Sequence, residues 1–287
     1  MSRLRYVLLA VVVLFLAGMV VPFITRGRVN SDRVGCQAHL RDLGLMGVRH
    51  ASTPGQPMPV RPREELPPGT FPNPTLAPDQ RMSWYVYTLN VLDQGVPNAA
   101  PKAKPRRAGA LADVLPRFDP TASWDAETVA DLRNYRLTTA ICPAQVREFT
   151  PGSPVLSNYI ALGGLGLDTP KLAIDETGPN AGAYRYDGPT PDARIRDGLE
   201  HTAQIAETNV ELGPWLRGGP TTLRGLDVAA EPYLGPGRPF GGCHPGGAYV
   251  AMADGSVQFV KETVHSPVFR AMFTIAGGPD ERNFDAP

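Results

Sequence analysis

The chain has 287 residues, enough beyond any membrane anchor for one large domain with its own core, and one domain is the simpler reading. Its 28 lysine and arginine residues balance 28 aspartate and glutamate residues, so no net charge points to nucleic acid. With 31 prolines and 30 glycines it favours turns and long irregular connections over a helical bundle.

Residues 7–24, VLLAVVVLFLAGMVVPFI, carry no charge and are bracketed by Arg3 and Arg5 before and Arg26 and Arg28 after. As a helix rising ~1.5 Å per residue they would measure about 27 Å, close to the ~30 Å hydrocarbon core of a bilayer. The run exceeds the roughly 7–15-residue apolar core of a signal peptide and no A-x-A site follows it, so a retained anchor in the lipid bilayer is expected rather than a cleaved leader. The positive-inside count leaves orientation open, because Arg26, Arg28, Arg33 and Arg41 outnumber Arg3 and Arg5. A tail as short as residues 1–5 ahead of a large domain suits an N-in anchor. The expected division is a cytoplasmic tail at 1–5, a transmembrane helix at 6–25, an amphipathic extension at 26–52 and an extracytoplasmic domain at 53–287 on the inner membrane.

Residues 30–51 contain no proline, and Cys36, Leu40, Leu43 and Gly47 fall on one helical stripe. The anchor is therefore expected to continue as an amphipathic helix, with Pro22 as a kink. From Pro54 to Pro78 recurrent prolines predict an extended loop. Trp84 to Leu92 follows as a helix, with Tyr85, Leu89 and Leu92 on one face and Gln94-Gly95 at its close. A second proline-rich loop covers Pro97 to Pro105. The only basic cluster, Lys102, Lys104, Arg106 and Arg107, begins there and reads as a solvated loop rather than a nucleic-acid or lipid site.

Ser123 is placed to cap a helix over Trp124 to Asn134, with Asp125 and Glu127 in its first turn. Short β-prone runs then dominate: Leu137–Ile141, Val155–Leu162, Ala183–Tyr186 and Thr202–Ala206. Ala248 to Lys261 predicts a hairpin around Asp254-Gly255, a dipeptide favoured by two-residue type I′ turns. Pairing Ala253 with Ser256 would place Met252 opposite Val257 and Val250 opposite Phe259. A closing helix is expected with Ser266 as N-cap, Pro267 at N1 and Gly277 after its last turn.

Candidate sites are few. Cys36, Cys142 and Cys243 lie far apart in sequence with no C-x-x-C spacing, which argues against zinc. In an extracytoplasmic domain they would make one disulfide and leave one thiol, the pair being undetermined by spacing. His244 and Asp254 invite a metal site, but an extended strand between them would be about 20 Å long, whereas ligands of one ion approach within ~5 Å. Asp254-Gly255 is therefore read as a turn and His244 as a loop cap or hydrogen-bonding residue; Asp254 keeps a weak claim on calcium. His201 and Glu207 flank a predicted strand without any G-x-S-x-G or H-E-x-x-H, so catalysis is not expected. Asp197-Gly198 reads as a turn, and Trp84, Trp124 and Trp215 as packing residues.

An ordered series of motifs carries a family likeness. A membrane helix with Gly18 and Pro22 near its end, then CQAHLRDLGLMG, LPPGTF, SWYVYTLNVLDQ, ICPAQ, LSNYIALGGLG and HPGGAYVAMADGSVQFV, resembles the bacterial pilin-like family called domain of unknown function 1559. The likeness runs from about Gly18 to Gly278 and ends in the family's signature of His, nine residues, then Asp-Gly, here His244 to Asp254-Gly255. It implies an α+β, pilin-like fold: a long N-terminal membrane-spanning helix packed on an antiparallel sheet, with long Pro/Gly-rich loops and a C-terminal helix. It also implies N-in topology, a disulfide between Cys36 and Cys142 with Cys243 free, and a buried hydrogen-bonding role for Glu207.

One departure concerns processing. Family members resemble type II secretion pseudopilins and carry a Gly-Phe-Thr-Leu-Ile-Glu motif, whereas here the position of its glutamate holds Arg5 and no Gly-Phe site precedes the span. The expected function is a non-enzymatic, membrane-anchored, structural or interaction protein without a resident cofactor. Its partners would be copies of itself or other pilin-like subunits, and no nucleic acid. The alternative is a membrane-tethered module whose loops bind an extracellular ligand or calcium.

Overall fold

The computed structural model describes residues 2–47, 65–94, 119, 121–145, 153–173 and 178–277. One helix, α1, runs without interruption over Ser2–Gly47, through Pro22. Its two halves differ in surroundings. Leu8, Leu14, Phe15 and Met19 are 60–72% exposed, while Cys36, Leu40 and Leu43 are fully buried. The stripe read from the sequence is thus the face that packs. Among the described residues, α1 is the one helix long and apolar enough to cross a membrane.

The sheet under α1 has five strands in the order β5-β2-β4-β6-β7. These are β2 (Tyr159–Leu165), β4 (Ala203–Glu207), β5 (Leu223–Leu226), β6 (Gly247–Met252) and β7 (Val257–Lys261). All neighbours are antiparallel except β2 and β5, which run parallel, so the sheet is mixed rather than purely antiparallel. A separate two-stranded pair joins β1 (Glu65–Leu66) to β3 (Thr190–Pro191), which puts a strand inside the proline-rich stretch read as loop. Both faces of the large sheet are covered. One carries α1 and the helix α2 (Tyr85–Gln94) over Trp84, Tyr85, Tyr159, Ile205 and Trp215; the other is closed by Tyr233, Phe240, Phe269 and Phe273. Burial on two faces explains why every residue of β4 is buried, Gln204 and Glu207 included.

Helix and sheet meet closely at Gly44. A Cβ there would lie 3.1 Å from Gln204 Nε2 and 3.3 Å from Ala251 Cβ, so the smallest residue lets the backbones approach. Gln204 Nε2 donates to the carbonyls of Gly44 and Met252. Further up α1, Arg33 donates to Pro245 O at 3.1 Å and lies over the Phe259 ring.

Several local expectations are corrected. The hairpin register is one residue different: Ala251 pairs with Val257, Val250 with Gln258 and Tyr249 with Phe259. Met252 N–H bonds to Ser256 O and Gly255 N–H to Met252 O, which leaves a three-residue loop, Ala253-Asp254-Gly255. Gly255 has φ 87°, whereas Glu211 is the only non-glycine residue with positive φ among those described. Asp254 therefore lacks the conformation a type I′ turn requires, and the loop is of the three-residue kind with a left-handed glycine at its end. The one-residue change sets Phe259 beside Tyr249, ring centroids 4.9 Å apart, rather than opposite Val250.

The helix expected over Trp124–Asn134 shrinks to a 3₁₀ turn, Glu127–Val129, and one α-turn, Ala130–Arg133. Ser123 does not cap it, because its hydroxyl is engaged with Gln80 O and Asp125. Leu137–Ile141 forms a 3₁₀ turn, Thr138–Ala140, and Ala183–Tyr186 joins no strand. The last helix is Ser266–Ala271, with His265 as N-cap, and Gly277 instead donates to Asp197 Oδ2. The second proline-rich loop with its basic cluster lies outside the described residues.

Gly255 supplies a first test. A Cβ added there would approach Leu45 Cδ2 at 2.7 Å, and φ 87° is strained for any L side chain. Gly255→Val is expected to cost about 1–2 kcal/mol from the left-handed backbone alone. Asp254→Ala, which removes only the acceptor of the Ser256 N–H, should cost about 1 kcal/mol or less. Denaturant midpoints of the two variants, in that order of severity, check this; equal midpoints would contradict it.

Candidate functional site

Four polar side chains converge in the core beneath α1. Cys36 comes from the buried stripe of α1, Cys142 from the Cys-Pro turn after Thr138–Ala140, Glu207 from the last position of β4, and His244 from the bridge that opens β6. One donor atom from each lies within 4.8 Å of the others, and all four residues are buried. His244 Nε2 is 3.3 Å from Glu207 Oε1 and 3.4 Å from Cys142 Sγ. Cys142 Sγ is 4.0 Å from the same Glu207 oxygen, to which the Cys36 thiol also donates.

A second layer holds these groups in place. Glu207 Oε2 accepts the Tyr249 N–H at 2.8 Å, which turns Oε1 toward the two sulfurs and the imidazole. The Tyr159 hydroxyl shares a hydrogen bond with Cys36 Sγ at 3.0 Å. Asn158 accepts the Cys142 N–H through its carbonyl oxygen, while its amide donates to Thr208 O and to Cys243 Sγ. The Tyr249 ring meets His244 edge-on, with centroids 5.4 Å apart.

The electrostatics follow from this crowding. Burial pushes the Cys36 thiol well up, and the neighbouring Cys142 and the Glu207 charge push it the same way. Cys142 is driven well down by hydrogen bonds from Cys243 and Cys36, with His244 adding to them against the opposing effect of burial. Burial pulls His244 down, but its contacts with Cys142 and Glu207 outweigh that and raise it to about 9. The four side chains therefore form a donor-rich cluster with little access to water.

The sequence-derived candidates separate. His244, read as a loop cap or hydrogen-bonding residue, lies in this cluster against Cys142 and Glu207. Asp254 sits exposed at the hairpin tip, where Oδ1 accepts the Ser256 N–H, and β6 lies between the two. Cys36 and Cys142, the pair expected to be joined, are neighbours in the cluster. Cys243 Sγ points to Thr208 O at 3.6 Å. His201 is 73% exposed beside Glu200, so it does not meet the buried Glu207. Trp84 and Trp215 are fully buried packing residues, and Trp124 is capped by Arg217.

What sequence reasoning missed is the convergence itself. Glu207 stood out only as a buried carboxylate, and no spacing rule joins four donors drawn from such distant segments. The adjacent Cys243-His244 pair, the Cys-Pro turn and the cysteine on the helix stripe were the available signals.

Neither the curated proteins nor the solved structures compared with this chain gave a match. A family described as "Protein of unknown function (DUF1559)" matches residues 28–221 and 216–266, a range that includes all four residues of the cluster. With most of its length matched, from the packed half of α1 to the end of the hairpin, the chain belongs to the DUF1559 family.

Proposed function

We propose that this protein is a membrane-anchored, non-enzymatic envelope subunit of pilin-like build, with its domain on the extracytoplasmic side of the inner membrane and a structural or interaction role. The observation that carries the reading is the division of α1. Its N-terminal half exposes Leu14, Phe15, Met19 and Val20, which no other described residue covers, and its C-terminal half buries Cys36, Leu40 and Leu43 on the sheet. Exposed apolar surface of that extent needs lipid or neighbouring helices. Family membership supports the same reading.

Two measurements test it. Intact-mass analysis of the membrane-extracted protein is expected to retain residues 7–24, given Arg5 where pseudopilins carry glutamate and no Gly-Phe processing site. A mature N-terminus within or just after the span would contradict a retained anchor. Cross-linking in intact membranes is expected to yield adducts of the chain with itself through α1. A purely monomeric species that leaves the membrane on alkaline washing would remove both anchor and assembly role.

A further inference from the structure

We infer that Cys36, Cys142, Glu207 and His244 form a closed, four-ligand zinc site that fastens the membrane-anchored helix to the sheet. The argument begins with distance. For a tetrahedral ion with bonds of about 2.0–2.3 Å, ligand atoms stand about 3.3–3.8 Å apart. The cluster has 3.3 Å between imidazole and carboxylate, 3.4 Å between imidazole and Cys142 Sγ, and 4.0 Å between Cys142 Sγ and carboxylate. Those three edges need shifts of about half an ångström or less. The Cys36 sulfur, now hydrogen-bonded directly to Glu207 Oε1, would have to turn away from that oxygen to share the ion, within a set whose donor atoms all lie within 4.8 Å.

Donor chemistry selects the metal. Two sulfurs make the site unsuitable for calcium or magnesium, which take oxygen ligands. Copper(I) accepts thiolate and imidazole, but a carboxylate is a poor ligand for it. Zinc is the ion that binds sulfur, nitrogen and oxygen in one tetrahedron. Four protein ligands, all buried, leave no open position for substrate, so the ion would be structural. The second layer is also that of a built site: Tyr249 N–H fixes the carboxylate, the Tyr159 hydroxyl faces Cys36, and Asn158 fixes the Cys142 backbone.

The placement gives the site its purpose. Cys36 is on α1, Glu207 on the central strand β4, His244 at the start of β6, and Cys142 on the loop that passes under α1. One ion would therefore cross-link the element that enters the membrane to three segments of the domain. Pull on the anchor would be resisted by metal–ligand bonds in addition to side-chain packing.

The test uses the full chain purified in mild detergent under reducing conditions. Elemental analysis is expected to find zinc in amounts equal to the protein. Exchange with cobalt(II) is expected to give thiolate-to-metal charge-transfer absorption and the intense visible bands of a tetrahedral ion. Cys142→Ser and His244→Ala should each lose the metal, while Cys243→Ser should keep it. If the ligand variants fail to fold, the wild-type cobalt spectrum and a drop in unfolding temperature on chelator treatment decide instead. Protein that carries no zinc and takes up no cobalt, a cobalt spectrum without thiolate bands, metal loss in Cys243→Ser, or a Cys36–Cys142 cross-link in the protein as isolated would each overturn the assignment.

Discussion

Trp84→Ala is expected to destabilise the domain by about 3–5 kcal/mol, the range for removing a large buried aromatic side chain. Trp84 is fully buried, stacks on Tyr85 with ring centroids 3.9 Å apart, and donates its indole N–H to Thr222 O at 2.8 Å. Truncation would leave a cavity beneath α2 and remove one of the two hydrogen bonds to Thr222 O, which would keep the Ala161 N–H. Trp84→Phe should recover part of the packing but not the hydrogen bond, and so fall between wild type and alanine. Chemical unfolding of the detergent-solubilised chain measures the series. A Trp84→Ala loss under about 1 kcal/mol would mean that the site collapses around the gap.

Gly182→Ala should be nearly as damaging, for a different reason. A Cβ at Gly182 would lie 2.1 Å from Gly164 N and 2.3 Å from Gly163 C, backbone atoms of β2 that cannot rotate away. The contact is reciprocal, since a Cβ at Gly164 would come within 2.6 Å of Gly182 N. Overpacking of this kind costs about 1–3 kcal/mol or more, and the upper end is expected because the whole strand must move. Gly178→Ala, where nothing lies within 4 Å of the added carbon, is the matched control and should change stability by less than about 0.5 kcal/mol. Equal unfolding midpoints for the two variants would show that the strand yields easily.

The same pair of glycines explains part of the LSNYIALGGLG motif. β2 runs beside β5 and also receives the 181–184 segment, with Leu165 N–H bonding to Asn180 O and Tyr184 N–H to Leu162 O. Two backbones meet at Gly164 and Gly182, and the Pro170 ring covers Gly163, so only residues without side chains fit at the three positions. A glycine doublet in an otherwise apolar strand marks close approach, but sequence alone does not say what approaches.

Local pattern determined the elements whose code is contained within a few turns. The stripe Cys36-Leu40-Leu43 became the packed face of α1, the helix read over Trp84 to Leu92 formed as Tyr85–Gln94, the strand read over Thr202–Ala206 formed as Ala203–Glu207, and Asp254-Gly255 turned a hairpin. Hydrophobic period and turn chemistry act over short range, so they survive without knowledge of partners. Where competition between long-range partners decides, the pattern misled. Leu137–Ile141 is β-prone yet coils into a 3₁₀ turn, because Ala140 O is taken by Asn158 N–H and Cys142 must swing under α1. The hairpin register shifted by one residue because Gly255 adopts the left-handed conformation alone beneath Leu45, without Asp254. The Cys36, Cys142, Glu207 and His244 cluster belongs wholly to the tertiary level. Its members lie on four segments from residue 36 to residue 244, and only the crossing of α1 over β4 and β6 brings their donor atoms within 4.8 Å.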